Sequence, residues 1–265
     1  MSQHRARKRF GQNFLHDDAV ILRIINAIAP RAGDHLVEIG PGQGALTTLL
    51  LDELGEMNAV ELDRDLVPVL EKNCAPHGAL KIHNVDALKF DFSALANEPS
   101  SLRVVGNLPY NISTPLIFHL LSQAHAVRDM YFMLQREVVE RLAAAPGTRA
   151  YGRLSIMVQY RCDVELLFIV GPESFDPMPK IDSAIVRLTP RSEPAVKVDD
   201  EVLFAKVVTQ AFSQRRKTIR NTLKPFMTGD EISSLDIDPG LRAEVLDLEA
   251  FARLTNFISK NQIDK

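Results

Sequence analysis

An apolar run, His35–Ile39, gives way to Gly40-Pro41-Gly42-Gln43-Gly44-Ala45 and then to a helix-period stretch carrying Leu46, Leu49, Leu50 and Leu54. A buried strand that turns on glycines into an amphipathic helix is the opening unit of an open α/β sheet, and it commits the chain to that class. Glycines in such a turn let the backbone approach a ligand closely, and the helix N-terminus presents free N–H groups. The spacing also parses as G-x-G-x-x-A, so the turn alone admits a dinucleotide. Glu61 lies in a second predicted strand (57–62), about 20 residues further on, where an acid accepts both ribose hydroxyls. Loop and acid together point to a nucleoside. Glu38 is expected to be a structural acid that hydrogen-bonds the loop amides.

The alternation continues along the chain. Residues 64–73 read as helix with Pro68 in its first turn. Strands are expected at 80–84, 102–105, 130–134, 164–170 and 184–188, which makes seven with the two already placed. An earlier helix carries Val20, Ile21, Ile24, Ile25 and Ile28, with Asp17 or Asp18 as cap and Pro30 as stop. Others are expected from Pro115 through Leu121, at 137–142 and at 152–160. Asp86 follows the third strand. It is placed either to accept from an adenine amino group or to cap the turn around Leu88.

The stretch with most chemical content is Asn107-Leu108-Pro109-Tyr110, directly after the fourth strand and the break at Gly106. Open α/β sheets bind ligands at that edge. Pro109 fixes its own φ and restricts Leu108, so the carbonyls there are held in place. An exocyclic adenine nitrogen is a poor nucleophile because its lone pair is delocalised into the ring. The Asn107 side-chain oxygen and a neighbouring carbonyl, accepting both N–H bonds, would favour a pyramidal nitrogen aimed at an electrophile. Tyr110 would stack on the base. A plain turn is the competing reading. Phe175-Asp176-Pro177-Met178-Pro179-Lys180 is a stiff loop that would place Phe175 opposite Tyr110 and Lys180 near a phosphate, or would simply join two strands with Phe175 in the core.

At 265 residues with 46% hydrophobic content, the chain has enough material for one large domain and a small one. It carries no membrane-length apolar run, and its basic, polar start does not read as a secretory signal, so a cytoplasmic protein without a membrane partner is expected. Cys74 and Cys162 form no ligand or disulfide spacing, and the scattered histidines suggest no metal. Net charge is -3, which argues mildly against nucleic acid. Its distribution argues the other way, since Arg5, Arg7, Lys8 and Arg9 crowd the start and Arg215, Arg216, Lys217 and Arg220 crowd a later predicted helix. A Pro-, Glu- and Ser-rich stretch at 189–200 marks a boundary, giving a domain at 1–190 and a helical one at 191–265. In the second, an apolar stripe from Leu203 to Phe212 is expected to extend through Ile219 and Leu223.

Together these residues resemble the KsgA-type ribosomal RNA adenine N6-dimethyltransferases, within the S-adenosylmethionine-dependent Rossmann-like methyltransferases. The match runs from Gly11-Gln12-Asn13-Phe14-Leu15 through Val37-Glu38-Ile39-Gly40-Pro41-Gly42, Glu61-Leu62-Asp63, Asp86-Ala87 and Asn107 to Ser113. It ends with Phe175 to Lys180 and Gln214 to Asn221. The resemblance implies a Rossmann-like seven-stranded sheet with a small C-terminal all-helical domain. It implies that Asn13 and Leu15 contact the cofactor, that Gly40 sits under its methionine portion, that Glu61 holds the ribose and that Asp86 binds the adenine. Asn107 would bridge cofactor and target, with Leu108 or Pro109 as carbonyl acceptor and Tyr110 and Phe175 holding the base. The implied substrate is a pair of adjacent adenosines in a hairpin near the 3′ end of small-subunit (16S) ribosomal RNA within an immature 30S particle, bound by a monomer. The basic clusters and Lys180 would meet phosphates, with the C-terminal domain on the RNA. Alternatives are a large-subunit RNA adenine methyltransferase, a mainly non-catalytic assembly checkpoint, and a nicotinamide-dependent oxidoreductase.

Overall fold

In the computed structural model, residues 13–263 are described. Gly11, Gln12 and the basic cluster Arg5, Arg7, Lys8 and Arg9 lie outside them. The chain forms two compact units, one of the residues up to Val139 with Glu165–Pro190, the other of Glu140–Val164 with Arg191 onward. A boundary at 190 is present, but a continuous 1–190 domain is not. Residues 140–164 belong to the second unit because Ala144, Tyr151, Ile156 and Tyr160 share a core with Phe204, Val208 and Phe251.

The first unit begins with β1 (Phe14–Leu15), α1 (Asp18–Ile28), β2 (His35–Ile39), α2 (Thr47–Leu54), β3 (Glu56–Val60), α3 (Val67–Cys74) and β4 (Ala79–His83). It continues with β5 (Leu102–Asn107), α4 (Ser113–Leu121) and β6 (Val127–Gln135). After α5 (Arg136–Leu142) and α6 (Arg153–Gln159), the chain returns through β7 (Cys162–Val170), β8 (Phe175–Asp176) and β9 (Ser183–Pro190). Seven strands, the number the sequence predicts, form one sheet, and their order is β4-β3-β2-β5-β6-β9-β7. Strands β2 to β6 pair in parallel and β9 runs antiparallel to β6. The central strands β2 and β5 are buried along nearly their whole length, as expected for strands covered on both faces.

Chain order reverses between β2 and β5, since β3 leaves on one side of β2 and β5 lies on the other. The loops after these strands therefore open a crevice at their carboxyl ends. Gly106 keeps the two strands close there, because a Cβ on it would lie 2.5 Å from the Ile39 carbonyl oxygen. Near the opposite end, Arg103 of β5 is 3% exposed. Its guanidinium donates to Asp129 at 2.9 Å, Asp34 at 2.8 Å and the Ile28 carbonyl at 2.7 Å.

The sequence did not signal the two-residue strands β1 and β8, which pair antiparallel, Phe14 opposite Asp176 and Leu15 opposite Phe175. Strands this short have no periodicity to detect. Asp17 then caps α1, its Oδ1 accepting from the Ala19 and Val20 amides at 3.0 and 3.2 Å, while Oδ2 accepts from the Ser174 hydroxyl at 3.1 Å. The segment leading into α1 is thereby tied to the Phe175 loop.

In the second unit, α7 (Glu201–Ala211), α8 (Ile219–Thr222), α9 (Gly229–Ser233) and α10 (Leu248–Ile263) follow the boundary. The expected continuous helix through Ile219 is interrupted. Residues 213–217 are exposed, so a helical turn there would have no apolar face to pack, and the chain turns instead, with the Lys217 amide donating to the Gln214 carbonyl at 3.0 Å. Arg215, Arg216 and Lys217 thus stand on a turn rather than a helix, and only Arg220 lies within α8.

Candidate active site

A cavity of about 1330 Å³ fills the crevice. Its walls come from the segments after β2 (Gly40 to Leu46), β3 (Glu61, Leu62), β4 (Val85 to Ala87) and β5 (Asn107 to Ile112), closed by Asn13 to His16 and Phe175 to Pro177. It therefore brings together Asn13, Leu15, Gly40, Glu61, Asp86, Asn107, Leu108, Pro109, Tyr110 and Phe175. It is larger than the roughly 300–1,000 Å³ of ordinary small-ligand pockets, which is room for a nucleoside and a second planar group. Lys180 is exposed on the Phe175 loop and does not line the cavity.

At the nucleoside end, Glu61 follows β3 directly and is buried. Burial pushes its carboxyl up, against hydrogen bonds from the Asp63 and Gly42 amides that pull it down; the Asp63 bond is 2.8 Å. The Gly42 bond ties the acid to the glycine turn. Gly40 and Gly42 both have positive φ, +67° and +61°, and a Cβ on Gly42 would press on the Phe14 ring at 3.2 Å. Asp86 does cap the turn, its Oδ1 accepting from the Leu88 amide at 3.0 Å. Its Oδ2 has no donor among the described residues, so capping and ligand binding are compatible. A buried acid, a glycine turn and a second acid with an open acceptor fit an adenosine-bearing group.

Glu38 also lines the cavity and is 2% exposed. The expectation that it binds loop amides is corrected, because its Oε2 accepts from the Thr47 hydroxyl at 2.6 Å. Thr47 starts α2 and carries no motif signal, so the pair was invisible in sequence. Burial pushes the Glu38 carboxyl up to about 7, with Thr47 opposing and Glu61 adding.

At the other end, the Asn107 Nδ2 donates to the Asn13 carbonyl at 3.1 Å. That contact fixes the amide and leaves Oδ1 as an acceptor without a donor among the described residues. The Leu108 amide donates to the Met133 carbonyl at 3.2 Å, anchoring the loop to β6. The Pro109 carbonyl already accepts from the Ile112 amide at 3.1 Å, so the Leu108 carbonyl is the one left over. The Tyr110 hydroxyl shares a hydrogen bond with the Ser183 hydroxyl at 3.0 Å, which holds the ring; Ser183, on β9, was not foreseen. Phe175 is 3% exposed and belongs to the apolar core of this unit while also lining the cavity.

An open α/β sheet whose switch-point cavity joins a buried acid to an amide and an aromatic ring is the architecture of the Rossmann-like methyltransferases. The model of the ribosomal RNA adenine dimethylase family matches residues 3–260, and the chain belongs to that family, in its KsgA-type branch. The ribosomal RNA small subunit methyltransferase A of Pseudomonas aeruginosa PAO1 is 59% identical over 258 residues, 97% of this chain and 96% of that one. Its namesake from Marinomonas sp. MWYL1 is 57% identical over 259 residues, 98% and 97% of the two chains. Among solved structures, a dimethyladenosine transferase from Plasmodium falciparum superposes with a TM-score of 0.81 at 27% identity, covering 94% of this chain and 98% of that one. The 23S rRNA methyltransferase ErmE shares the fold, with a TM-score of 0.74 at 24% identity over 93% and 100% of the two chains. The chain is thus an enzyme that dimethylates adenine in ribosomal RNA, and the oxidoreductase reading of the glycine turn falls away.

Proposed function

We propose that this enzyme transfers methyl groups from S-adenosylmethionine to N6 of two adjacent adenosines in a hairpin near the 3′ end of small-subunit ribosomal RNA, two to each base. The observation that carries the reading is Asn107, held by the Asn13 carbonyl at 3.1 Å at the head of a cavity with room for a donor and a base. When bound, the donor supplies an electrophilic methyl on a sulfonium. Glu61 takes the ribose hydroxyls, Asp86 the donor's adenine amino group, and Gly40, Asn13 and Leu15 line the donor's remaining length.

The chain's own groups then prepare the nucleophile. Oδ1 of Asn107 and the Leu108 carbonyl accept the two N–H bonds of the target amine, which draws its lone pair out of the ring. Pro109 keeps that carbonyl in place and Tyr110, braced by Ser183, stacks on the flipped base, with Phe175 behind it. No strong general base is needed, because the methylated nitrogen is acidic enough to lose its proton to water. Lys180, Arg215, Arg216, Lys217 and Arg220, with the N-terminal Arg5, Arg7, Lys8 and Arg9, bind phosphates, and the second unit serves the RNA. The enzyme acts as a cytoplasmic monomer on immature 30S particles.

The test is mass spectrometry of ribosomal RNA after incubating immature subunits and S-adenosylmethionine with the enzyme or with Asn107→Ala. Dimethyladenosine at neighbouring small-subunit positions, lost in the variant, is the expected result. Methylation of large-subunit RNA alone would move the enzyme to that substrate, and tight subunit binding without methylation would make it an assembly checkpoint.

A further inference from the structure

Around the cavity, exposed apolar side chains are of two kinds. Leu62 and Val85, 52% and 41% exposed, line it, so a ligand inside covers them. Met178 and Ile181, 64% and 45% exposed, do not line it. Both stand on the short loop between β8 and β9, and Met178 is the most exposed large apolar side chain described in the first unit. A ligand within the cavity leaves this pair bare.

Both feet of that loop are fixed beside the cavity. At the first, Pro177 lines the wall next to Phe175, which pairs with Leu15 of β1. At the second, the Ser183 hydroxyl meets the Tyr110 hydroxyl at 3.0 Å. Asp182, just before it, is clamped to the start of α5. Its carbonyl accepts from the Arg136 amide at 3.0 Å and its carboxylate from the Arg136 guanidinium at 3.2 Å. Between these feet, Pro177 and Pro179 flank Met178; each fixes its own φ, and Pro179 restricts Met178 to extended geometry. The thioether therefore stands at the rim of the cavity on a stiff support, and little backbone freedom is lost when it meets a ligand. Lys180, exposed on the same loop, sets a positive charge close by.

The enzyme acts on adenine in ribosomal RNA, so the molecule outside the rim is the strand that supplies the base. This inference rests on the reading above, in which that base is flipped onto Asn107 and Tyr110. Flipping strips the neighbouring base of its stacking partner, which is costly. An apolar side chain that takes the vacated place offsets part of that cost. A thioether suits the task, because polarisable sulfur packs well on an aromatic ring. We propose that Met178 is a positioning residue for the RNA: it packs on the face of the base next to the flipped adenosine and replaces the stacking partner lost from the strand. The contact is with a π-face, so it tolerates any base there.

The test is single-turnover methylation of one target adenosine in immature small subunits, reconstituted with RNA that is intact or abasic at the nucleotide on one side or the other of the target. Met178→Ala should slow methylation of intact subunits about tenfold, the upper range of a sulfur–aromatic contact, with S-adenosylmethionine affinity unchanged. Met178→Leu, which keeps the apolar volume, should stay close to wild type. At one of the two neighbours the abasic nucleotide should slow the wild-type enzyme by a similar factor and add nothing to the loss in Met178→Ala, as two groups in contact require. A wild-type rate in Met178→Ala would overturn the proposal, as would losses that multiply at both neighbours or a loss that Met178→Leu shares in full. Failure of the wild-type enzyme to methylate small-subunit RNA would instead overturn the substrate reading, and this proposal with it.

Discussion

Asn107 Nδ2 donates to the main-chain carbonyl of Asn13 at 3.1 Å, so a residue 94 positions away decides which way round the amide stands. With Nδ2 facing the Asn13 carbonyl, Oδ1 is the acceptor turned to a ligand. Asn107→Asp keeps the shape but removes the donor and sets a carboxylate against the Asn13 carbonyl. It should lower single-turnover methylation by about 10²–10³-fold, the usual cost of losing one aimed polar group. The unfolding midpoint should stay close to that of the wild type, which a thermal melt checks.

Glu38 gives a pH dependence whose sign is fixed. Its carboxyl is raised from the ordinary 4.5 to about 7, chiefly by burial. Between these values the folded protein keeps a proton that the unfolded chain has lost, so stability falls as pH rises, and the penalty is complete above about 7. Glu38→Gln removes it. Urea unfolding of the ligand-free protein should find the variant no more stable than wild type near the lower value. Near about pH 8 it should be more stable by on the order of 3 kcal/mol.

The strands and helices of the sheet were legible because each writes its period locally. His35–Ile39 is five residues long and Leu102–Asn107 six, and both are nearly all buried. Glu61, Asp86 and Asn107 were each found beside a strand or cap signal and Asn13 only through the family resemblance, and the structure gathers them in one cavity. What escaped were long-range pairings without local period. Leu15 opposite Phe175, Tyr110 with Ser183 and Glu38 with Thr47 join residues whose neighbours say nothing of the partner. The turn at 213–217 escaped because a basic run reads as well as a solvated helix end as it does as a loop. The place of 140–164 in the second unit escaped because membership is decided by which core buries Tyr151 and Ile156.

Arg103 tests the other end of the sheet. It is 3% exposed and holds the carboxylates of Asp34 and Asp129, whose side chains are 11% and 13% exposed. Asp34 lies below the usual carboxylate range although burial pushes it up, because Arg103 and the Arg31 amide pull it down. Arg103→Met fills the space but leaves two nearly buried acids without their shared partner. Breaking such a set by removing one member costs about 3–5 kcal/mol. Chemical denaturation should show that loss at neutral pH. Methylation per mole of folded enzyme should be unchanged, because Arg103 lies near the start of β5 and the site after its end.

The turn between α7 and α8 separates three basic residues that the sequence treats alike. Arg215 is partly engaged, its guanidinium donating to the Arg149 carbonyl at 3.2 Å and lying 3.9 Å from Glu244. Arg216 and Lys217 are exposed. A cation that meets an RNA phosphate displaces a counterion, so each contact adds about 0.7 to 0.9 to the slope of log affinity against log salt. Arg216→Ala and Lys217→Ala should each flatten that slope by about this much in binding to immature small subunits, and weaken binding at low salt. Arg215→Ala should flatten it less, because part of its charge is already answered within the protein. If the slope is the same for all three variants and for wild type, this turn does not touch phosphate, and the RNA footprint lies on other cations such as Lys180.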